Sequence, residues 1–230
     1  MFLDFDFGEI SRSLSYLFKT GMVFTLQITT LALIGGMILG TIVAMMRLSK
    51  VRVVALTASG YVNVMRSVPL ILTIFWFYFL VPSFLAWLTG SDDPVQINAF
   101  ATSVVAFIVF EAAYYGEIIR GGIQSINRNQ VNASLALGMS DMQTMRWVVL
   151  PQAFRVMMPV LLTQTVILFQ DVSLVYVLSI TDFVGAASKI AERDNRLPEM
   201  YIFVAVVYFS ICFGLSILVR HLRRNQLAVI

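Results

Sequence analysis

The chain has 230 residues, 59% of them hydrophobic and 13% charged, with a formal net charge of +3 at pH 7. A water-soluble domain carries roughly 25% charged residues, so this composition excludes a soluble enzyme, and its 18 Phe exclude a disordered chain. The lone Cys212 excludes an internal disulfide, and the lack of a basic run outside the apolar stretches excludes a nucleic-acid binder. The reading is an all-α integral membrane protein with a single membrane domain over 1–230.

A helix crossing the bilayer core needs about 20 mostly apolar residues. That rule places five transmembrane helices at approximately 20–46, 55–82, 95–119, 152–178 and 199–220. Residues 1–20 are acidic and amphipathic and lead into a full-length span. They lack the basic start and short apolar core of a cleaved signal, so Gly8 to Thr20 is expected along the outer interface.

In the first span Ala32, Gly36, Gly40 and Ala44 recur every four residues, a flat ridge on which another helix packs closely. The second contains Arg66-Ser67-Val68-Pro69. Proline removes a backbone donor and disfavours helix at the residue before it, so the helix should kink or break there. A broken helix inside a membrane usually lines a cavity. Arg66 beside the break either attracts an anionic ligand or snorkels to the headgroups, and Pro69 and Arg66 are both candidates for a substrate path.

The third span ends with Glu111, Glu117 and Arg120, the last two spaced for a local ion pair. Between the third and fourth spans lies GGIQSINRNQVNASLALGMSDMQTMRWVVLP, residues 121–151. Val131 to Leu137 reads as a short helix ended by Gly138, and Ser140 as the cap of a second piece running to Trp147. Pro151 then opens the fourth span. Helix, glycine and helix make a protruding knob over about 129–147, a shape for docking a partner.

In the fourth span Thr163 is seven residues before Gln170, and Gln164 seven before Asp171. These four make a polar stripe two turns long on an apolar helix. Such groups belong on a translocation path or in interhelical hydrogen bonds.

Basic residues cluster in alternate connections: Arg47, Lys50 and Arg52, then Arg120, Arg128, Arg146 and Arg155, then Arg220, Arg223 and Arg224. The opposite side has Asp4, Asp6 and Glu9 against Arg12 and Lys19, the pair Asp92 and Asp93, and a mixed loop from Asp182 to Glu199. The basic side is expected in the cytoplasm, with the N-terminus outside and the C-terminus inside. The single histidine, His221, lies in the basic tail, so no catalytic residue, metal site or cofactor site is expected. No Walker A glycine loop is present either, so any driving force is supplied from elsewhere.

The knob segment resembles the coupling loop of permease subunits of bacterial ATP-binding-cassette importers. That motif is Glu-Ala-Ala, three residues, Gly, nine residues, Ile, any residue, Leu-Pro. Here Asn132-Ala133-Ser134, three residues, Gly138, nine residues and Val148-Val149-Leu150-Pro151 keep the spacing, with Asn for Glu and Ser for the second Ala. The literal Glu111-Ala112-Ala113 lies too far upstream to belong to the motif. YVNVMRSVPL, AYYGEIIRGGIQSI, LALGMSDMQT, LPQAFRVMMP and FQDVSLVYVLS are similar to the polar amino-acid branch; RSVPL followed by FWFYFLVP, FEAAYYGEIIRGGIQSI and LLTQTVILFQDVSLVYVLSITDF most resemble its glutamate/aspartate permeases.

The resemblance implies the type I importer permease fold in a bacterial inner membrane. It implies Asn132, Ala133, Ser134, Leu137, Gly138, Met139, Ser140 and Pro151 in coupling to an ATPase subunit. It further implies a second permease subunit, different or identical, and an external solute-binding protein that delivers an amino acid. The alternatives are another cargo of the same branch, such as glutamine, arginine or cystine, and a passive channel or scaffold subunit.

Overall fold

The computed structural model describes residues 7–91, 93 and 95–227. Asp4, Asp6 and Asp92, used in the charge reading, lie outside the described residues, as do the side chains of Glu9, Arg223 and Arg224. All regular structure among the described residues is helical. Five helical stretches are long and apolar enough to cross a membrane: Ile10–Arg47, Leu70–Thr89, Ala99–Gln124, Asp141–Leu178 and Leu197–Leu222.

The chain opens with α1 (Phe7–Tyr16), which passes through a π turn at Leu17–Met22 into α2 (Val23–Arg47). The next apolar stretch is two helices rather than one. The backbone is extended at Val68 (φ −103°, ψ 136°) and at Pro69 (φ −59°, ψ 137°), which separates α3 (Arg52–Ser67) from α4 (Leu70–Phe75). Proline's missing donor and its steric demand on Val68 cause the interruption. A π turn at Trp76–Leu80 joins α4 to α5 (Val81–Thr89), so the membrane-length helix begins after the break, later than the sequence suggests.

After α6 (Ala99–Gln124) come α7 (Arg128–Ala136) and α8 (Asp141–Thr144). A π turn at Met145–Val149 then leads into α9 (Leu150–Asp171). Pro151 therefore does not begin this long helix. It lies in a continuous rod from Asp141, because a local π adjustment accommodates the lost backbone donor. A 3-10 stretch at Val172–Leu178, α10 (Phe183–Asp194) and α11 (Leu197–Leu227) complete the described chain.

The chain divides into two compact units. The first comprises the chain up to Ile34, Pro69–Ile108 and Val166–Leu215. Its core gathers Leu17, Met22, Phe169, Phe183, Ile190 and Met200. Helix α10 is fixed there by its buried cap. Asp182 accepts from Val184 N at 3.1 Å and Gly185 N at 2.8 Å, while Phe183 N donates to Thr25 Oγ1 at 3.0 Å. Gly21 allows this approach, since a Cβ there would stand 2.9 Å from both Ala186 Cβ and Phe183 Cα. Burial pushes the Asp182 carboxyl up to about 6, against the pull of the backbone bonds from Gly185 and Val184.

The second unit comprises Gly35–Val68, Val109–Thr165 and the chain from Ser216. Here the expected small-residue ridge is in use. A Cβ on Gly40 would lie 2.9 Å from Gly116 N and from Tyr115 Cβ, and one on Gly36 would lie 3.0 Å from Glu111 Cβ. The helices meet at a distance that only glycine permits. Val43, Val62 and Ala113 form a buried contact, with Tyr61 and Met65 packed on it. The Tyr61 hydroxyl donates to Val109 O.

Candidate functional site: an exposed coupling knob and a buried polar pair

Two features of the second unit carry chemistry. The first is the knob between α6 and α9. Asn127 caps α7, its side chain accepting from Asn129 N at 2.9 Å, so the helix starts at Arg128, three residues before its expected start. At its other end Gly138 N reaches Leu135 O at 2.9 Å and Met139 N reaches Ser134 O at 3.2 Å. This closure needs a left-handed residue, and Gly138 has φ +84°. Ser140 then starts α8 with a capping box: Gln143 N donates to Ser140 Oγ at 3.3 Å, and Ser140 N donates to Gln143 Oε1 at 2.9 Å.

What locks the two short helices together is a hydroxyl pair. Ser134 Oγ bonds Thr144 Oγ1 at 3.0 Å, and both residues are buried. Ser134 is the position where the importer motif has alanine, so a polar tie replaces a methyl contact. Asn132 and Ala133 of α7 are exposed, and so is Pro151 in the first turn of α9. Around the bend Leu137 is 84%, Met142 75% and Trp147 65% exposed. Arg146 lies over the Trp147 ring at 5.3 Å from its centroid. Large apolar side chains held out by a rigid turn make a compact exposed apolar patch of the kind that suits a docking surface. Met142 and Trp147 add to the residues singled out by motif spacing, and only their exposure reveals them.

The second feature is a buried pair inside the helices. Gln164 Nε2 donates to both carboxylate oxygens of Glu111, at 3.1 and 3.3 Å, and Glu111 is completely buried. Beside it, Tyr115 OH and Thr165 Oγ1 are 3.4 Å apart. The sequence places Glu111 near the inner end of its span without a partner. The helix rotation instead brings it onto α9. Because the amide nitrogen is consumed by Glu111, the oxygen of Gln164 is the end left to accept a bond.

The polar stripe divides. Thr163 is exposed and donates to Pro159 O at 2.9 Å, Gln164 is buried, Gln170 is exposed and Asp171 is half-buried. No hydrogen bond joins these four to one another among the described residues. A seven-residue spacing sets Thr163 with Gln170 and Gln164 with Asp171, and those two rows lie about 100° apart on the helix. Arg66 is exposed, with its guanidinium over the Tyr114 ring at 5.4 Å. Pro69 is exposed at the start of α4, where its carbonyl accepts from Leu72 N at 3.0 Å.

A helical membrane bundle with a glycine-turned, exposed knob has the make-up of a transport permease component. Residues 36–227 match the family described as the binding-protein-dependent transport system inner membrane component, and the chain belongs to that family. It is 51% identical to the glutamate/aspartate import permease protein GltK of Escherichia coli O157:H7, over 96% of this chain and 98% of that protein. The L-cystine transport system permease protein TcyB of Bacillus subtilis is 34% identical, over 95% and 89% respectively. A crystal structure of an amino acid ABC transporter with histidines superposes with a TM-score of 0.85 at 30% identity, covering 96% of this chain and 98% of that one. The protein is thus a multi-pass inner-membrane permease component of the ABC importer type.

Proposed function

We propose that this chain forms half of the pore of an ATP-driven importer for glutamate and aspartate. The observation that carries the coupling role is the knob: a left-handed Gly138 and the Ser134–Thr144 tie present Leu137, Met142 and Trp147 outward. Identity of 51% along almost the whole chain to a glutamate/aspartate permease supports the cargo.

The chain itself performs no catalysis and needs no cofactor. A separate ABC ATPase subunit receives the segment containing Asn132, Ala133, Ser134, Leu137, Gly138, Met139, Ser140 and Pro151. A second permease subunit, in a heterodimer or a homodimer, completes the pore, and an extracytoplasmic solute-binding protein delivers the amino acid. Closure of the ATPase pair on ATP pulls the knobs and switches the permease pair between inward- and outward-facing forms.

The bias of Arg47, Lys50, Arg52, Arg120, Arg128, Arg146 and Arg155 to one side supports a cytoplasmic knob, an outside N-terminus and a cytoplasmic C-terminus. The path candidates are Arg66, Thr163 and Gln164 in the second unit, and Pro69, Gln170 and Asp171 in the first.

The test is uptake of labelled glutamate and aspartate by cells that depend on this chain, with glutamine, arginine and cystine as competitors. ATP-dependent uptake that only the acidic pair competes for is expected. Preference for another amino acid, or uptake that persists without the ATPase, overturns the reading.

A further inference from the structure

Helix α9 turns one row of side chains to the bundle: Val149 just before it, then Ala153, Met157, Leu161 and Gln164, all buried. Arg155 follows the fully buried Ala153 by two residues, about 200° round the helix, and is exposed. It therefore points away from the packed row. Among the described residues it has no hydrogen bond, ion pair or ring contact. Arg47 and Arg120, by contrast, are engaged on Glu117, and Arg66 lies over the Tyr114 ring.

The surroundings of Arg155 are apolar and open. Its neighbours Phe154 and Val156 are exposed, as are Leu150 and Pro151 toward the knob and Val160 further along the helix. All lie within the stretch Asp141–Leu178, which is long and apolar enough to cross a membrane. The nearest carboxylates on the same rod are Asp141 and Asp171, fourteen and sixteen residues away, or about 21 and 24 Å. Neither reaches the guanidinium. A cation beside hydrocarbon is expensive, and a long stem relieves the cost by carrying the charge to an oxyanion at the lipid surface.

The outer side of this rod also changes character along its length. At the knob end Arg146 lies over the Trp147 ring, 5.3 Å from its centroid, whereas Val156 and Val160 continue the exposed side as hydrocarbon. Cationic at one end and apolar beyond Arg155, it has the complementary polarity of an anionic phospholipid. A guanidinium fork matches the two free oxygens of a phosphodiester, and an acyl chain covers the valines. A soluble anion meets the charge but leaves the apolar side chains bare.

We propose that Arg155, with Phe154, Val156 and Val160, forms a site for an anionic phospholipid. The phosphodiester sits on the guanidinium, and an acyl chain lies along the exposed side of α9. Both leaflets border their hydrocarbon with phosphate, so the site does not depend on which end of the chain faces the cytoplasm.

The test uses the assembled transporter in discs of phosphatidylcholine containing a little photoactivatable phosphatidylglycerol. After illumination, a digestion that does not cut at arginine and mass spectrometry locate the label. Label is expected on the Phe154–Val160 segment, and unlabelled phosphatidylglycerol should displace it at about fivefold lower mole fraction than phosphatidylethanolamine does. Arg155→Ala should lower the label there about fivefold, and Arg155→Lys, which keeps the charge and loses the fork, about twofold. Unchanged labelling elsewhere on the chain shows that the variants are inserted and folded. Arg220→Ala, an exposed arginine of α11, should leave the α9 label as it is. An unlabelled segment means that another protein chain covers it, and overturns the site. Equal displacement by phosphatidylethanolamine, or an unchanged Arg155→Ala variant, does the same. So does an equal loss in Arg220→Ala, which marks a general surface potential. Displacement by inorganic phosphate beyond that by chloride at the same ionic strength marks a soluble oxyanion site, and also overturns it.

Discussion

Helices α8 and α10 begin with the same device and use it for opposite ends. Ser140 caps α8 at the surface with a neutral hydroxyl, and Gln143 returns the bond. Asp182 caps α10 with a fully buried carboxylate that bonds two backbone amides. An exposed cap is cheap to break and easy to replace, so it suits a short helix that lies at the surface. A buried charged cap is costly to leave unpaired, so it ties its helix to the packing around Phe183 and Ile190. The knob is thus stiff through its bend and its hydroxyl pair, whereas α10 is stiff through burial.

The contrast is broken most severely at the bend. Gly138→Asp puts a side chain on a backbone at φ +84° and a negative charge on the exposed bend that the proposed function assigns to docking. No neighbour lies within 4 Å of a Cβ there, so folding and membrane insertion should survive. Loss of ATP-coupled uptake by a normally inserted variant is expected, and normal uptake would refute the role of the turn.

Next in size is Asp182. Asp182→Ala should destabilise by about 1–3 kcal/mol, read as a lowered Tm of the purified chain. The native carboxyl also titrates near 6 instead of 3.8, so the folded state holds its proton more tightly than the unfolded one. Its contribution to stability is complete below the lower value and declines as pH rises to about 6, on the order of 3 kcal/mol in all. The Tm advantage of wild type over Asp182→Asn should shrink between those pH values, and a pH-independent difference would rule this out. No such dependence is expected of Ser140→Ala.

Ser134→Ala sharpens the comparison from the other side. It removes the bond to Thr144 at 3.0 Å and leaves the Thr144 hydroxyl without it, about 1 kcal/mol. Uptake should fall several-fold while the Tm changes by only a few degrees. The smallest effect is expected of Asn132→Glu, which restores the motif residue at an exposed position. ATPase rates should stay within about twofold, because a surface charge pair is typically worth about 0.4 kcal/mol. A larger change would make Asn132 a specific contact.

Membrane character was legible in composition, and the break before Pro69 and the glycine-ended knob were legible in local rules that act within a few residues. The small ridge was legible too, because helical spacing alone puts Gly36 and Gly40 on one side. What escaped the sequence is whatever depends on helix rotation or on long-range pairing. Glu117 reads as the partner of Arg120, three residues on, yet it also binds Arg47, seventy residues away in the chain. Gln164 reads as part of a stripe with Asp171, yet Glu111 claims it. Pro151 reads as a helix start, but a π turn, which leaves no residue signature, carries the helix through it.

That uninterrupted helix has a mechanical meaning. From the capping box at Ser140 to the buried amide of Gln164 is 24 residues, about 36 Å of rod at 1.5 Å per residue. Two prolines in it, Pro151 and Pro159, lack a backbone donor, and the π turn at Met145–Val149 precedes the first. A tilt of about 5° applied at the knob sweeps the far end through about 3 Å, the length of one hydrogen bond. On the function proposed above, leverage of that kind would carry a small push at the knob to the contact between Gln164 and Glu111.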